Sequence, residues 1–148
     1  MVYAVHQHTK PKRGVEMQFK IDPDNGCPIY EQIARQIKYA VAEGTLTAGQ
    51  LVPSVRELAK SAAINPNTVQ RAYLDLQNEE VIETLRGRGM AVCVGAKKRC
   101  VSDRQSQLRD RLEDLVREAI HAGLESEQLQ KMFDNALQRA TSGGKAKP

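Results

Sequence analysis

Tryptophan is absent from the 148-residue chain, and aromatic residues make up only 4% of it. A core must therefore be assembled mainly from Leu, Ile, Val and Ala, and this length supports one compact domain with an appendage. Cysteine is scarce. Cys27, Cys93 and Cys100 form no C-x-x-C pair and cannot all be joined, so reduced thiols in a cytoplasmic protein are expected. No run approaches the roughly 18 apolar residues of a membrane span, and no apolar segment opens the chain, so neither a membrane helix nor export is expected. Catalytic sets are missing too. There is no Ser/His/Asp arrangement, no paired catalytic carboxylates and no phosphate-binding glycine loop, so the expectation is binding without catalysis or cofactor. His6 and His8 have no cysteine or carboxylate close by, and no metal site is assigned to them.

What charge there is lies unevenly. The net charge is +4, and residues 1–16 carry +2 (three basic, one acidic), residues 17–100 carry +2 and residues 101–148 carry none. The first two portions suit a polyanion; the last suits protein or water. Residues 1–16 have no sustained period and contain Lys10-Pro11-Lys12-Arg13-Gly14, which reads as a disordered basic arm. Met17 opens a more ordered run, which leaves open whether residues 1–16 are translated in the native protein.

The stretch Val52–Arg71 organises the rest. Ser54 and Glu57 have the spacing of a capping box. Val55, Leu58, Ala59 and Ala62 then recur at helical spacing, leaving Arg56 and Lys60 on the opposite face. Asn65-Pro66 restarts the chain, with Asn as N-cap and Pro as first helical residue. Val69, Ala72, Tyr73 and Leu76 make one apolar stripe, while Asn67, Gln70 and Arg71 point away from it. Two short helices joined by a turn, the second bearing amide and guanidinium groups, describe a helix-turn-helix. Asn and Gln match adenine edges, and Arg matches guanine edges or phosphate. A solvated helical hairpin fits the same stretch taken alone.

The flanks narrow the choice. Upstream, Phe19-Lys20-Ile21 is extended, Asp22–Gly26 is a dense turn signal, and a helix begins near Pro28. Ile29, Ile33, Ile37 and Val41 line one face of that helix, and Gly44 stops it. Downstream, two β-prone runs, 81–85 and 90–94, flank Arg86-Gly87-Arg88-Gly89, a hairpin whose tip carries two arginines between glycines. Such a tip can approach a phosphate backbone or a narrow minor groove. Beside a helix-turn-helix it is a wing.

Four segments in order, PIYEQIARQI, L-x-x-G-x-x-V-P-S-x-R-E-L-A, NPNTVQRAYLDL and GRG-x-x-V, resemble the winged-helix domain of GntR-family bacterial transcriptional regulators. The resemblance covers about Ile21 to Val94, and NPNTVQRAY with the short tail is similar to the YtrA-like subgroup. It implies DNA contacts at Arg56, Asn67, Thr68, Gln70 and Gly87. Lys60, Arg71, Arg86 and Arg88 join them on charge and position. It further implies repression by promoter occupancy, often beside transporter genes. The large effector domains of other branches do not appear, so a small-molecule effector is left open and unidentified.

The chain departs from the family pattern in four places. Ala62-Ala63 stands for Leu-Gly, and Glu80 stands for Gly; left-handed backbone at Ala63 or Glu80 would cost about 1 kcal/mol each. Ala91 replaces an aromatic residue, so thin packing is expected under the wing. Pro66 occupies the position of a base-reading arginine, which shifts readout toward Asn67.

From Val101 the chain is helical again. Leu108, Leu112, Leu115 and Ala119 follow 4-3-4 spacing, and Gly123 ends the helix. Leu129, Met132, Phe133 and Leu137 mark a second apolar face. These eight positions are the expected dimer interface, since two such helices cannot bury both stripes alone. His121 reads as a favourable charge at a helix end. The expected fold is mainly α with a small β-hairpin wing (α+β). Residues 1–16 form the arm, 17–98 the winged helix-turn-helix, 99–141 a two-helix dimerisation region and 142–148 a disordered tail. The expected function is a sequence-specific transcriptional regulator, a repressor that binds double-stranded DNA as a homodimer on an inverted repeat. Its rivals are a winged helix used for protein contacts, with little salt dependence, and an enzyme.

Overall fold

The computed structural model describes residues 17–143; the arm, with His6 and His8, and residues 144–148 lie outside the described residues. The elements are α1 (Ile29–Glu43), α2 (Val55–Ser61), α3 (Pro66–Asn78), β1 (Ile82–Leu85), β2 (Gly89–Val92), α4 (Ala96–His121) and α5 (Ser126–Ser142). The expected mainly helical α+β class, with a hairpin after the helix pair, is the one adopted. The chain divides into two compact units between Arg104 and Gln105.

The core of the first unit follows the sequence periodicities. Ile33, Ile37 and Val41 from α1 meet Leu58 from α2, and Val69, Ala72, Tyr73 and Leu76 from α3; all are buried. Val81, Ile82 and Val92 close the core from the hairpin, and Ala96 and Cys100 close it from the first turns of α4. That explains why the unit ends at Arg104 and not near residue 98. The root of α4 is clipped to α1 by ion pairs, Arg104 to Glu43 at 2.8 Å and Asp103 to Lys38 at 3.8 Å; Lys38 also pairs with Glu79. Arg99 also donates to the Glu80 carbonyl at 2.6 Å.

Two glutamines on α1 fix the segment before it. Gln32, itself buried, donates to the carbonyls of Asp22 (2.7 Å) and Cys27 (2.8 Å) and accepts from the Asp22 amide. Gln36 accepts from the Lys20 amide at 2.9 Å and donates to the Lys20 carbonyl at 2.8 Å. A side-chain amide thus takes the place of a strand partner, and the extended segment lies along α1 with Phe19 and Ile21 against the core.

Strands β1 and β2 pair antiparallel, with Ile82 opposite Val92 and Leu85 opposite Gly89. The segment before α2 adds a short third rung: Leu51 bridges Ala91, Val52 donates to Met90 and Val92 donates to Gln50. Packing is therefore not thin at Ala91, which is 0% exposed. An open groove of about 730 Å³ lies instead along the neighbouring Met90, between the wing and the start of α2.

Both non-glycine turns carry the backbone the family pattern would give to glycine: φ is 53° at Ala63 and 55° at Glu80. Each follows a helix end where the next amide reaches back five residues, Ile64 to Ala59 and Val81 to Leu76. This wrapped C-terminus needs a left-handed residue. The chain meets the same need with Gly123 (φ 88°) after α4, where Leu124 donates to Ala119.

In the second unit, the remainder of α4 and α5 are joined through Ala122–Glu125, and the Glu125 amide donates to the Gln128 side chain at 2.9 Å. Helix α5 continues through Ser142, so the helix takes in one residue assigned to the tail in the sequence; the Thr141 hydroxyl donates to the Leu137 carbonyl. Its apolar side chains stay open. Leu112 is 44% exposed and Leu115 60%, with Leu108, Met132, Phe133 and Leu137 between them; Ala119 and Leu129 are half-buried. Among the described residues, no helix is long and apolar enough to cross a membrane.

Candidate nucleic-acid interface

Helix α2 is only seven residues long and is held at its start by side chains. The Glu57 amide donates to Ser54 Oγ at 3.2 Å, and the Ser54 amide donates to Glu57 Oε2 at 2.8 Å. The Ser54 amide first, and then the Ser54 hydroxyl, hold the Glu57 carboxyl below its ordinary value. With the cap met locally, Arg56 and Lys60 face solvent.

Helix α3 starts as its sequence requires. Asn65 Oδ1 accepts from the Asn67 amide at 2.9 Å, and Pro66 is the first helical residue. Asn67, Gln70 and Arg71 are exposed and Thr68 is half-buried, while Val69, Ala72, Tyr73 and Leu76 turn inward. A part-buried bond ties α3 to the segment that leads into α2. Tyr73 spans the core and its hydroxyl donates to the Pro53 carbonyl at 2.6 Å. Burial raises the Tyr73 hydroxyl far above its ordinary pKa, so it remains a donor throughout the physiological range.

At the wing tip the Arg88 amide donates to Leu85 at 2.9 Å, closing a turn with Gly87 at φ 75°, and Gly89 follows at φ 113°. Side chains other than glycine are strained at both places. Arg86 and Arg88 stand out from this turn, exposed. Arg88 also lines the groove that Ser54, Glu57 and Ser61 of α2 line from the other side, so the wing and α2 share one edge.

The structure thus brings Arg56, Lys60, Asn67, Thr68, Gln70 and Arg71 onto one helix pair, with Arg86, Gly87 and Arg88 on the adjoining wing. Among the described residues, Arg56, Lys60, Arg86 and Arg88 make no ion pair, whereas Lys38, Arg99 and Arg104 are each paired with a carboxylate. Charges left without a partner keep their full attraction for a polyanion. Arg71 differs from the others. Its guanidinium lies 3.8 Å from the centre of the Tyr30 ring on α1. The Tyr30 hydroxyl in turn donates to Glu31 at 3.0 Å, which heads the causes that raise its pKa. Sequence reading missed Tyr30 because it and Arg71 are far apart in the chain. It missed the Tyr73 hydroxyl because the apolar stripe already accounted for that ring. No cluster of three metal-ligating side chains occurs among the described residues.

The family model described as "Bacterial regulatory proteins, gntR family" matches residues 29–92, from α1 to the end of β2. The chain is 40% identical over 126 residues to the HTH-type transcriptional repressor YtrA of Bacillus subtilis (strain 168), covering 85% of this chain and 96% of YtrA. It is 38% identical over 103 residues to the HTH-type transcriptional regulator YhcF of the same organism, covering 69% of this chain and 84% of YhcF. A crystal structure of a transcriptional regulator from Oenococcus oeni superposes with a TM-score of 0.69 at 33% identity, covering 82% of this chain and 98% of that one. These relatives are named as regulators of transcription, not as enzymes. With a helix-turn-helix, an arginine-tipped wing and likeness over nearly the whole length of YtrA, the chain belongs to the gntR family of bacterial regulatory proteins, as a YtrA-like member.

Proposed function

We propose that this regulator is a cytoplasmic repressor that binds an inverted-repeat operator as a homodimer. The observation that carries the reading is the unpaired basic set on α2 and the wing, beside the polar face of α3, which Tyr73 ties to Pro53. Asn67, Thr68 and Gln70 read base edges in the major groove. Arg56 and Lys60 hold phosphates, and Arg86, Gly87 and Arg88 reach the flanking minor groove. Arg71, stacked on Tyr30, steers toward phosphate. The name of YtrA supports repression, and three free thiols, Cys27, Cys93 and Cys100, suit a reducing compartment.

The second unit supplies the partner contact. Leu108, Leu112, Leu115 and Ala119 on α4, with Leu129, Met132, Phe133 and Leu137 on α5, form apolar faces that a second copy would cover. Two linked winged domains gain affinity from effective concentration, which a single small domain lacks. Sedimentation velocity beside mobility shifts on full and half operators tests this. Leu112→Asp with Leu137→Asp is expected to give a folded monomer that binds half-sites weakly. A double variant that still sediments as a dimer would place the interface elsewhere.

A further inference from the structure

Among the described residues of the first unit, two large apolar side chains are exposed, Leu74 and Val94. A lone exposed leucine is ordinary on a protein surface; the position of Leu74 is not. It lies on α3 seven residues after Asn67, four after Gln70 and three after Arg71. At roughly 3.6 residues per turn these four side chains share one face, opposite the buried stripe of Val69, Ala72, Tyr73 and Leu76. Helical side chains tilt toward the helix N-terminus, so Leu74 leans over the turn that carries Gln70 and Arg71. An arginine stem can cover such a leucine. Here Arg71 is drawn to the Tyr30 ring on α1, 3.8 Å from its centre, and Leu74 stays 54% exposed.

The chemistry of the face says what a bare leucine there would meet. Asn67 and Gln70 carry amides that match adenine edges, and each adenine is paired with a thymine whose C5-methyl group stands in the same major groove. Leucine can shield that methyl from water. Cytosine at the same place would offer Leu74 no methyl and would bring an amino group that the leucine leaves unpaired. We propose that Leu74 is a further specificity-determining residue, which selects a thymine beside the adenines read by Asn67 and Gln70 through contact with its C5-methyl group. The inference rests on the DNA-binding reading above.

The test removes the methyl group alone. Each thymine of a selected operator half-site is replaced in turn by deoxyuridine, and the wild-type chain and Leu74→Ala are titrated on each duplex by fluorescence anisotropy. Burial of one methyl group is worth about a three- to five-fold change in affinity. At one thymine of the half-site the wild type is expected to lose that factor on deoxyuridine. Leu74→Ala should lose at least the same factor on the thymine duplex and nothing further on deoxyuridine. Leu74→Met, which keeps a long apolar side chain, should retain the thymine preference. Thermal unfolding of both variants should match wild type, since the side chain is exposed. Losses on deoxyuridine that are equal in wild type and Leu74→Ala at every position, or no loss at any position, would overturn the role of Leu74 and leave DNA binding standing. A wild-type chain that selects no operator would overturn the DNA-binding reading and this inference together.

Discussion

Arg71 of α3 lies over the ring of Tyr30 on α1, 3.8 Å from its centre. An arginine stacked in this way has fewer conformations to lose when it meets an anion, and the ring's face holds the charge near the surface. A stacked pair at an exposed site is worth about 0.5–1 kcal/mol. Tyr30→Ala is therefore expected to weaken DNA binding about two- to five-fold, with Tyr30→Phe near wild type. In an Arg71→Ala background, Tyr30→Ala should have no further effect. Anisotropy titrations of the four proteins measure the coupling, and fully additive losses would show that Tyr30 does not act through Arg71.

Base reading is expected to centre on Asn67, since Pro66 carries no donor. Asn67→Ala should cost about 1–3 kcal/mol on the preferred site and much less on random duplex. Competition binding against both duplexes checks it. Equal losses would remove Asn67 from the readout.

The wing gives a different signature. Arg86→Ala with Arg88→Ala should lower the slope of log K against log salt by about 1–2, with little change in sequence preference. A slope that stays where it was would leave the hairpin a structural element.

Stability offers a test away from DNA. Ala63 and Glu80 hold φ near 55°, where a side chain costs about 1 kcal/mol. Neither position makes a contact that glycine would lose from the core, so Ala63→Gly and Glu80→Gly should each raise unfolding free energy by up to about 1 kcal/mol. The unfolded chain's added freedom offsets part of the gain. Arg99 complicates one of them, because its pairing with the Glu80 carboxylate at 3.7 Å would be lost. At that exposure the pair is worth little. Urea titrations of both variants decide it, and a drop in midpoint for Ala63→Gly would refute the strain.

Much of this arrangement was legible in the chain itself, for reasons particular to each element. Ile33, Ile37 and Val41 sit four apart and so declare their face. Ser54 with Glu57, and Asn65 with Pro66, declare helix starts through local hydrogen bonding that needs no tertiary partner. Gly87 and Gly89 declare the wing because only special backbone forms so tight a tip. What could not be read depends on distant partners. Gln32 and Gln36 look like ordinary polar helix residues, yet they bind the backbone of a segment up to 16 residues earlier. The Leu51 rung beside Ala91 is one bridge long and has no sequence signature. The close of the first unit at Arg104 depends on Cys100 packing and on ion pairs of Asp103 to Lys38 and Arg104 to Glu43, none of which interrupts the helical pattern of α4.

The most direct measurement is selection of bound sequences by the full chain from random duplex DNA, with the complex's mass determined on the winning sequence. The expected result is an inverted repeat whose half-sites are about one helical turn apart, bound by two chains. The same selection with Asn67→Ala should lose information at one position in each half-site. Enrichment of a single unrepeated site bound by one chain would contradict the dimeric operator reading, and no enrichment at all would contradict sequence-specific binding itself.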